Sequence, residues 1–149
     1  MEYRNALDYL NIQKNRLEDR LLYELDLPSD LEDFLIPRLI LQPLIENAII
    51  HGILPSGRSG RITVRTRQEG SRLVLSVQDN GDGMEPMQLQ QLRQLLSGGQ
   101  ESGSIGMRNV ARRLQLHFDG QCRFSVDSGP GRGTTVRLLL PMQGRRMNF

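Results

Sequence analysis

The sequence predicts an α+β fold: a two-layer α/β sandwich with helices on one face of a mixed, mostly antiparallel sheet. Three observations predict it. Ile62, Val64 and Thr66, then Leu73, Leu75 and Val77, alternate with polar or smaller residues on either side of Gly70, the pattern of a half-buried hairpin. A second pair of strand-like runs, Cys122 to Val126 and Thr134 to Leu140, flanks Gly129-Pro130-Gly131-Arg132-Gly133. Stretches with helical apolar spacing lie before and between these runs, and a sheet with one apolar face needs such helices as its cover.

Taken in order, Leu7, Leu10, Ile12, Leu17 and Leu21 fall at roughly helical spacing, which predicts a helix from Glu2 to Arg20. Its apolar stripe either docks on the domain or continues an upstream helix. Leu22 to Leu27 reads as a short strand closed by Pro28-Ser29-Asp30. A second helix falls between Pro37 and His51. Pro37 suits a first turn, Pro43 kinks the helix or marks the start of its regular part, and Gly52 with Pro55-Ser56-Gly57 ends it. After the hairpin, Asp79-Asn80-Gly81-Asp82-Gly83 forms a turn-rich loop leading into a helix from Pro86 to Leu96. Ser97 to Gly103, rich in glycine and serine, reads as mobile, and a third long helix follows from Ile105 to Phe118.

Composition narrows the function classes. A chain of 149 residues has room for one compact domain, and its 38% apolar and 24% charged residues are ordinary for a globular protein. The net charge of +2, from 19 basic and 17 acidic residues, argues against a nucleic-acid partner, which calls for a concentrated basic face. A single cysteine, Cys122, excludes a disulfide framework and a metal knuckle; it reads as a half-buried thiol in a reducing, cytoplasmic setting. The amino terminus is polar, and no apolar run reaches the length of a membrane span.

Four segments carry chemistry-bearing residues. At about 100° per residue, Glu46, Asn47, Ile50 and His51 share one sector of the second helix, while Leu41, Leu44, Ala48 and Gly52 lie opposite. An amide oxygen such as that of Asn47 suits Mg²⁺, and Glu46 suits polarisation of a nucleophile; a solvated outer face reads the same way. Asp79 ends an apolar strand, so its carboxylate is partly desolvated and needs a donor such as the exocyclic amine of adenine. Gly81 and Gly83 let backbone approach a flat ring, although an ordinary Asp-Asn-Gly turn has the same residues. Ser102-Gly103-Ser104-Ile105-Gly106-Met107 runs into a helix start, where free N–H groups suit phosphate. Gly131-Arg132-Gly133-Thr134-Thr135 enters the last strand and alone is only a turn.

In that order and spacing, the four segments resemble the N, G1, G2 and G3 boxes of the GHKL ATPases over residues 36 to 141. The resemblance implies their Bergerat, HATPase-type sandwich. The run Ile36-Pro37-Arg38-Leu39-Ile40-Leu41-Gln42-Pro43-Leu44-Ile45-Glu46-Asn47-Ala48-Ile49-Ile50-His51-Gly52 is similar to the signature of autolysin- and alginate-type sensor histidine kinases, which often act with LytTR-domain response regulators. Tyr9 to Gln13 and Arg16 to Leu21 are similar to the segment after their dimerisation helices.

The resemblance implies that Asn47 holds Mg²⁺, that Glu46 orients or deprotonates an attacking histidine, and that His51 belongs to the nucleotide site. Asp79 accepts from adenine, with a water near Thr135 or Gly83. Gly81, Gly83 and Met84 shape the base pocket, with Thr134 and Thr135 beside it. Ser104, Ile105, Gly106 and Met107 cradle phosphate under a lid formed by Ser97 to Gly103. It further implies a division into residues 1–30, a linker helix and strand after a dimerisation domain, residues 31–143, the catalytic domain that binds ATP, and residues 144–149, a tail. The expected partners are that dimerisation and histidine phosphotransfer domain, a LytTR-type response regulator, and a second copy in a full-length homodimer at the inner membrane.

The sequence departs from the family pattern at three positions. Ser102 and Ser104 stand where the G2 box has glycines, and Ile50 stands where a cation often precedes the N-box histidine; Arg58 or Arg108 is the available substitute. The two serines keep one rival in view, a nucleotide-free interaction module; the chain length of 149 residues keeps a second, a serine kinase of the anti-sigma-factor type. His51 and His117 are the two histidines, and neither matches a phosphoacceptor. The chain is therefore expected to bind ATP and Mg²⁺ without phosphorylating itself.

Overall fold

Every second residue of the central strands is apolar, and the sheet collects that set on one side. The computed structural model describes residues 2–17, 20–26, 41–54, 57, 59–96, 112–114, 116 and 121–141. β2 (Gly60–Glu69) and β3 (Arg72–Asp79) form the expected hairpin, antiparallel from Ile62 opposite Asp79 to Glu69 opposite Arg72. β5 (Thr134–Pro141) lies antiparallel to β3, and β4 (Arg123–Ser128) antiparallel to β5. β1 (Leu21–Asp26) adds to the free side of β2 in the parallel sense, giving the order β1-β2-β3-β5-β4. Leu21, Ile62, Val64, Leu73, Leu75, Val77, Val126, Val136, Leu138 and Leu140 are buried on one face. Arg61, Arg65, Arg67, Arg123 and Arg137 stand exposed on the other.

Helices cover the apolar face. α1 (Glu2–Leu17) packs against α2 (Leu41–Asn47) and its stripe docks in part: Leu10 is fully buried and Leu17, with Tyr9, partly buried against the core, whereas Leu7 and Ile12 stay exposed and Leu21 belongs to β1. The segment predicted as a linker helix and strand thus contributes both a strand and a core side chain. Lys14 Nζ donates to the Leu21 carbonyl at 2.7 Å, and the Tyr23 hydroxyl donates to Asn11 Oδ1, fastening α1 to the strand that follows it. α2 buries Leu41, Leu44 and Ile45, with Pro43 in its first turn, where a missing N–H costs nothing. α3 (Pro86–Leu96) lies beside β4. Of the predicted third long helix, residues 112–114 and 116 are described and helical, and Leu114 is buried in the core. Cys122 is buried rather than half-buried, just ahead of β4, and its surroundings push the thiol's pKa up.

The second helix departs from expectation. It does not end at Gly52 but continues as a π-helical turn, Ala48–Ile53, with the Leu54 N–H closing on the Ile49 carbonyl. A helix turning at about 100° per residue would leave Ile53 within about 20° of exposed Glu46. The wider turn, with i→i+5 bonding, advances less per residue and returns Ile53 to the core beside Ala48 and Ile49, all three buried. Gly60 makes room for it, because a Cβ there would come 2.1 Å from Ile53 Cδ1.

Candidate functional site

The site forms where three chain reversals meet at one end of the sheet. Asp79 is the last residue of β3, directly across from Thr134 of β5, and both side chains belong to the buried face. Asp79 is only 4% exposed. Its Oδ1 accepts the Gly81 N–H at 2.9 Å. Burial is the main cause that raises its pKa to about 6; the main-chain N–H groups of Gly81 and Thr134 pull the other way. The carboxylate is therefore a desolvated acceptor with unused capacity, as expected of a strand-end acid among apolar neighbours.

Glycines let the backbones close around it. A Cβ on Gly52 would stand 2.5 Å from Asp79 Oδ1, and one on Gly81 would stand 2.1 Å from the Gly52 carbonyl oxygen. The Asp82 N–H donates to that same carbonyl at 3.4 Å, joining the π turn to the loop after β3. Gly83 has φ +77°, which glycine alone adopts without strain, and a Cβ there would meet the Gly129 carbonyl oxygen at 1.9 Å. The loop between β4 and β5 reaches back: Gly131 N–H donates to Asp82 O at 2.7 Å, and Met84 N–H donates to Ser128 Oγ at 2.8 Å. The outer end of the loop is pinned by Asn80, whose N–H donates to Arg61 O while its Oδ1 accepts the Arg61 N–H at 2.6 Å.

Asp79, Gly81, Gly83, Met84 and Thr134 come together in this cluster. Asn47 and Glu46 sit at the end of α2, on the same continuous helix as Gly52. Glu46 is exposed and Asn47 half-buried; Asn47 has helical angles (φ −60°, ψ −42°), and its side chain makes no capping bond to the π turn. Ile50 is 46% exposed on the same outward face, and the backbone of His51 lies in the π turn. Thr135 is the exception: strand alternation puts it on the opposite face from Asp79, in register with Gln78 and Asp127, so Thr134 takes the place expected of it. Ser104, Ile105, Gly106 and Met107, the lid Ser97 to Gly103, and Arg58, Arg108 and His117 lie outside the described residues.

Two contributors were not expected. Gly52 was read as a helix terminator, but its missing Cβ is what admits the Asp79 carboxylate. Ser128 was not singled out, yet its hydroxyl touches two loop groups, Met84 N and Gly133 O, and the Thr134 hydroxyl of β5. The signal was present in the spacing: a five-residue connection between β4 and β5 sets 128 opposite 134. Among the described residues, no group of three His, Cys, Asp or Glu side chains gathers as a metal centre.

The chain belongs to the histidine kinase-, DNA gyrase B- and HSP90-like ATPase family, whose pattern matches residues 32–144. It is similar to the sensor histidine kinase YesM of Bacillus subtilis (strain 168), 32% identical over 89% of this chain and 22% of that protein. It is equally similar to the sensor histidine kinase BtsS of Escherichia coli (strain K12), 32% identical over 95% of this chain and 23% of that protein. The sensor protein LytS of Bacillus subtilis (strain 168) is 30% identical over 91% of this chain and 23% of its own length. The chain thus spans roughly a quarter of these relatives. Its fold matches the histidine kinase domain of the Erythrobacter litoralis EL346 blue-light activated histidine kinase, with a TM-score of 0.68 at 19% identity over 93% of this chain and 62% of that one.

Proposed function

We propose that the chain is the ATP-binding catalytic domain of a two-component sensor histidine kinase of the autolysin- and alginate-type, LytTR-associated branch. The observation that carries the nucleotide reading is the Asp79 carboxylate: buried, held by main-chain donors on one side, and packed against Gly52 and Gly81 with no side chain of theirs intervening. A buried ionisable acceptor needs a donor, and an adenine amine inserted between glycine backbones supplies one. The likeness to LytS supports the branch.

In this reading Asp79 accepts from the base, Gly81, Gly83 and Met84 line it, and Thr134 lies across from the carboxylate. Asn47, whose amide is not spent on a helix cap, holds Mg²⁺ together with phosphate oxygens, the oxygen-rich environment that ion prefers. Bound Mg²⁺ supplies neutralisation of phosphate charge. Exposed Glu46 faces outward, where an incoming histidine imidazole can be oriented or deprotonated. Ser104, Ile105, Gly106 and Met107 contribute N–H donors to phosphate, and His51 flanks the same helix. Phosphoryl transfer asks mainly for positioning and charge stabilisation, so this sparse set is sufficient. The acceptor histidine belongs to a dimerisation domain of the full-length, membrane-associated homodimer, which passes the phosphoryl group to a response regulator.

Calorimetry with ADP and Mg²⁺ tests the nucleotide reading. The wild-type chain binds, and Asp79→Asn, which swaps an acceptor oxygen for an amide donor, weakens binding at least about tenfold. Unchanged affinity in the variant sinks the base assignment. Adding a separate polypeptide that carries the dimerisation helices should produce acid-labile phosphohistidine on that polypeptide, whereas the chain alone labels neither His51 nor His117.

A further inference from the structure

Ser128 ends β4, half-buried, where the register sets it opposite Thr134. Its Oγ has three polar neighbours: Met84 N at 2.8 Å, Gly133 O at 2.9 Å and Thr134 Oγ1 at 2.8 Å. A serine hydroxyl has one hydrogen and two lone pairs, so three neighbours fill it. The Met84 N–H can only donate and takes one lone pair. The Gly133 carbonyl can only accept and takes the single hydrogen. What is left is a lone pair, so the Thr134 hydroxyl must be the donor in the third contact. Its hydrogen is then spent, and only its lone pairs remain for anything beside it.

Across the register from Thr134 stands Asp79, whose ionised carboxylate is also acceptor-only. Both facing groups of the strand pair thus present acceptors and no hydrogen. Building on the nucleotide reading above, we infer that Ser128 is a positioning residue: by fixing the Thr134 hydrogen it makes the base site acceptor-only and selects bases with an exocyclic amine over those with a carbonyl in its place. A carbonyl oxygen there would meet lone pairs from both sides without a hydrogen between them. In Ser128→Ala the Thr134 hydroxyl is free to rotate and donate, so the penalty on a carbonyl base falls while the amine loses an oriented acceptor.

The test compares ADP with GDP, each with Mg²⁺, by calorimetry. The wild type favours ADP; Ser128→Ala narrows the ADP-to-GDP affinity ratio by about tenfold, the value of one hydrogen bond. Thr134→Val, which keeps the shape and removes the hydroxyl, narrows it similarly, and Ser128→Thr, which keeps the hydroxyl, restores it. Amide exchange at Met84 accelerates in Ser128→Ala and not in Ser128→Thr, which checks the network even if affinities shift through folding. Equal weakening of both nucleotides in Ser128→Ala and Thr134→Val, with the ratio preserved, overturns the inference and leaves Ser128 a structural link. Wild-type protein that binds neither nucleotide overturns the nucleotide reading itself, and the inference falls with it.

Discussion

The two ends of the β3–β5 pair are built from similar residues and do different work. At the hairpin end, where Arg72 faces Pro141, Gly70 has φ +60° and a Cβ added to it would meet nothing within 4 Å. At the opposite end, where Asp79 faces Thr134, Gly83 and Gly133 have φ of +77° and +70°, and a Cβ on either would run into backbone oxygen. At the first end glycine serves the conformation of a turn. At the second it also serves proximity, letting three loops close over a buried carboxylate. Positive φ alone, which the sequence pattern suggests at both ends, does not distinguish a turn from a site; the surroundings do.

The sharpest way to break this comparison is to add the same methyl group at both ends. Gly83→Ala combines left-handed strain with overpacking and should cost roughly 3 kcal/mol, whereas Gly70→Ala bears the strain alone and should cost about 1 kcal/mol. Urea unfolding of the two variants measures the gap, and equal costs would show that the Asp79 end has slack.

The second test uses pH. Asp79 titrates near 6 in the folded chain, above its ordinary 3.8, so its contribution favours the folded state below about pH 4 and is lost as the pH rises through about 6. An amine donor prefers the ionised form. Nucleotide affinity should therefore be flat above pH 7 and fall about tenfold per unit well below pH 6, with proton release on binding. Asp79→Asn should remove that slope, and a slope that persists in the variant would assign it to another group.

Smaller effects are expected away from the site. Arg93 of α3 donates from Nε and Nη2 to the Val126 carbonyl of β4, at 3.2 and 2.6 Å. Arg93→Ala should cost about 1 kcal/mol in urea unfolding, and a loss above about 3 kcal/mol would mean that α3 carries more of the domain than one tether. The ion pair between Arg137 and Asp127, 3.1 Å on the outer sheet face, is exposed on both sides. Arg137→Ala should change stability by less than about 0.5 kcal/mol and should leave ADP binding unaltered.

The residues that declared themselves in the sequence are those whose role is local. Alternation placed β2 and β3 and their turn within two residues, and a charged residue closing an apolar strand singled out Asp79. The π turn was not legible, because a helical wheel assumes a constant angle and only the packing of Ile53 against Gly60 demands a different one. Thr134 and Thr135 are indistinguishable as a dipeptide and become opposite only once the register with Asp79 is set. The pairing of Ser128 with Thr134 follows from the length of the loop between them, but its Met84 partner lies 44 residues away, and no local pattern connects those two. The parallel placement of β1 likewise depends on residues remote in sequence, since a short polar-flanked run says nothing about which neighbour it joins.

The Arg93 tether has a consequence for how copies of this domain meet. Among the described residues β4 is the outermost strand on its side, and an outermost strand offers its spare carbonyls to any extended segment that drifts alongside. By placing a guanidinium on the carbonyl in the middle of that strand, with α3 lying against it, the chain interrupts the row on which a second molecule would zip up. The same contact that steadies a helix thus also occupies one carbonyl of an outer strand.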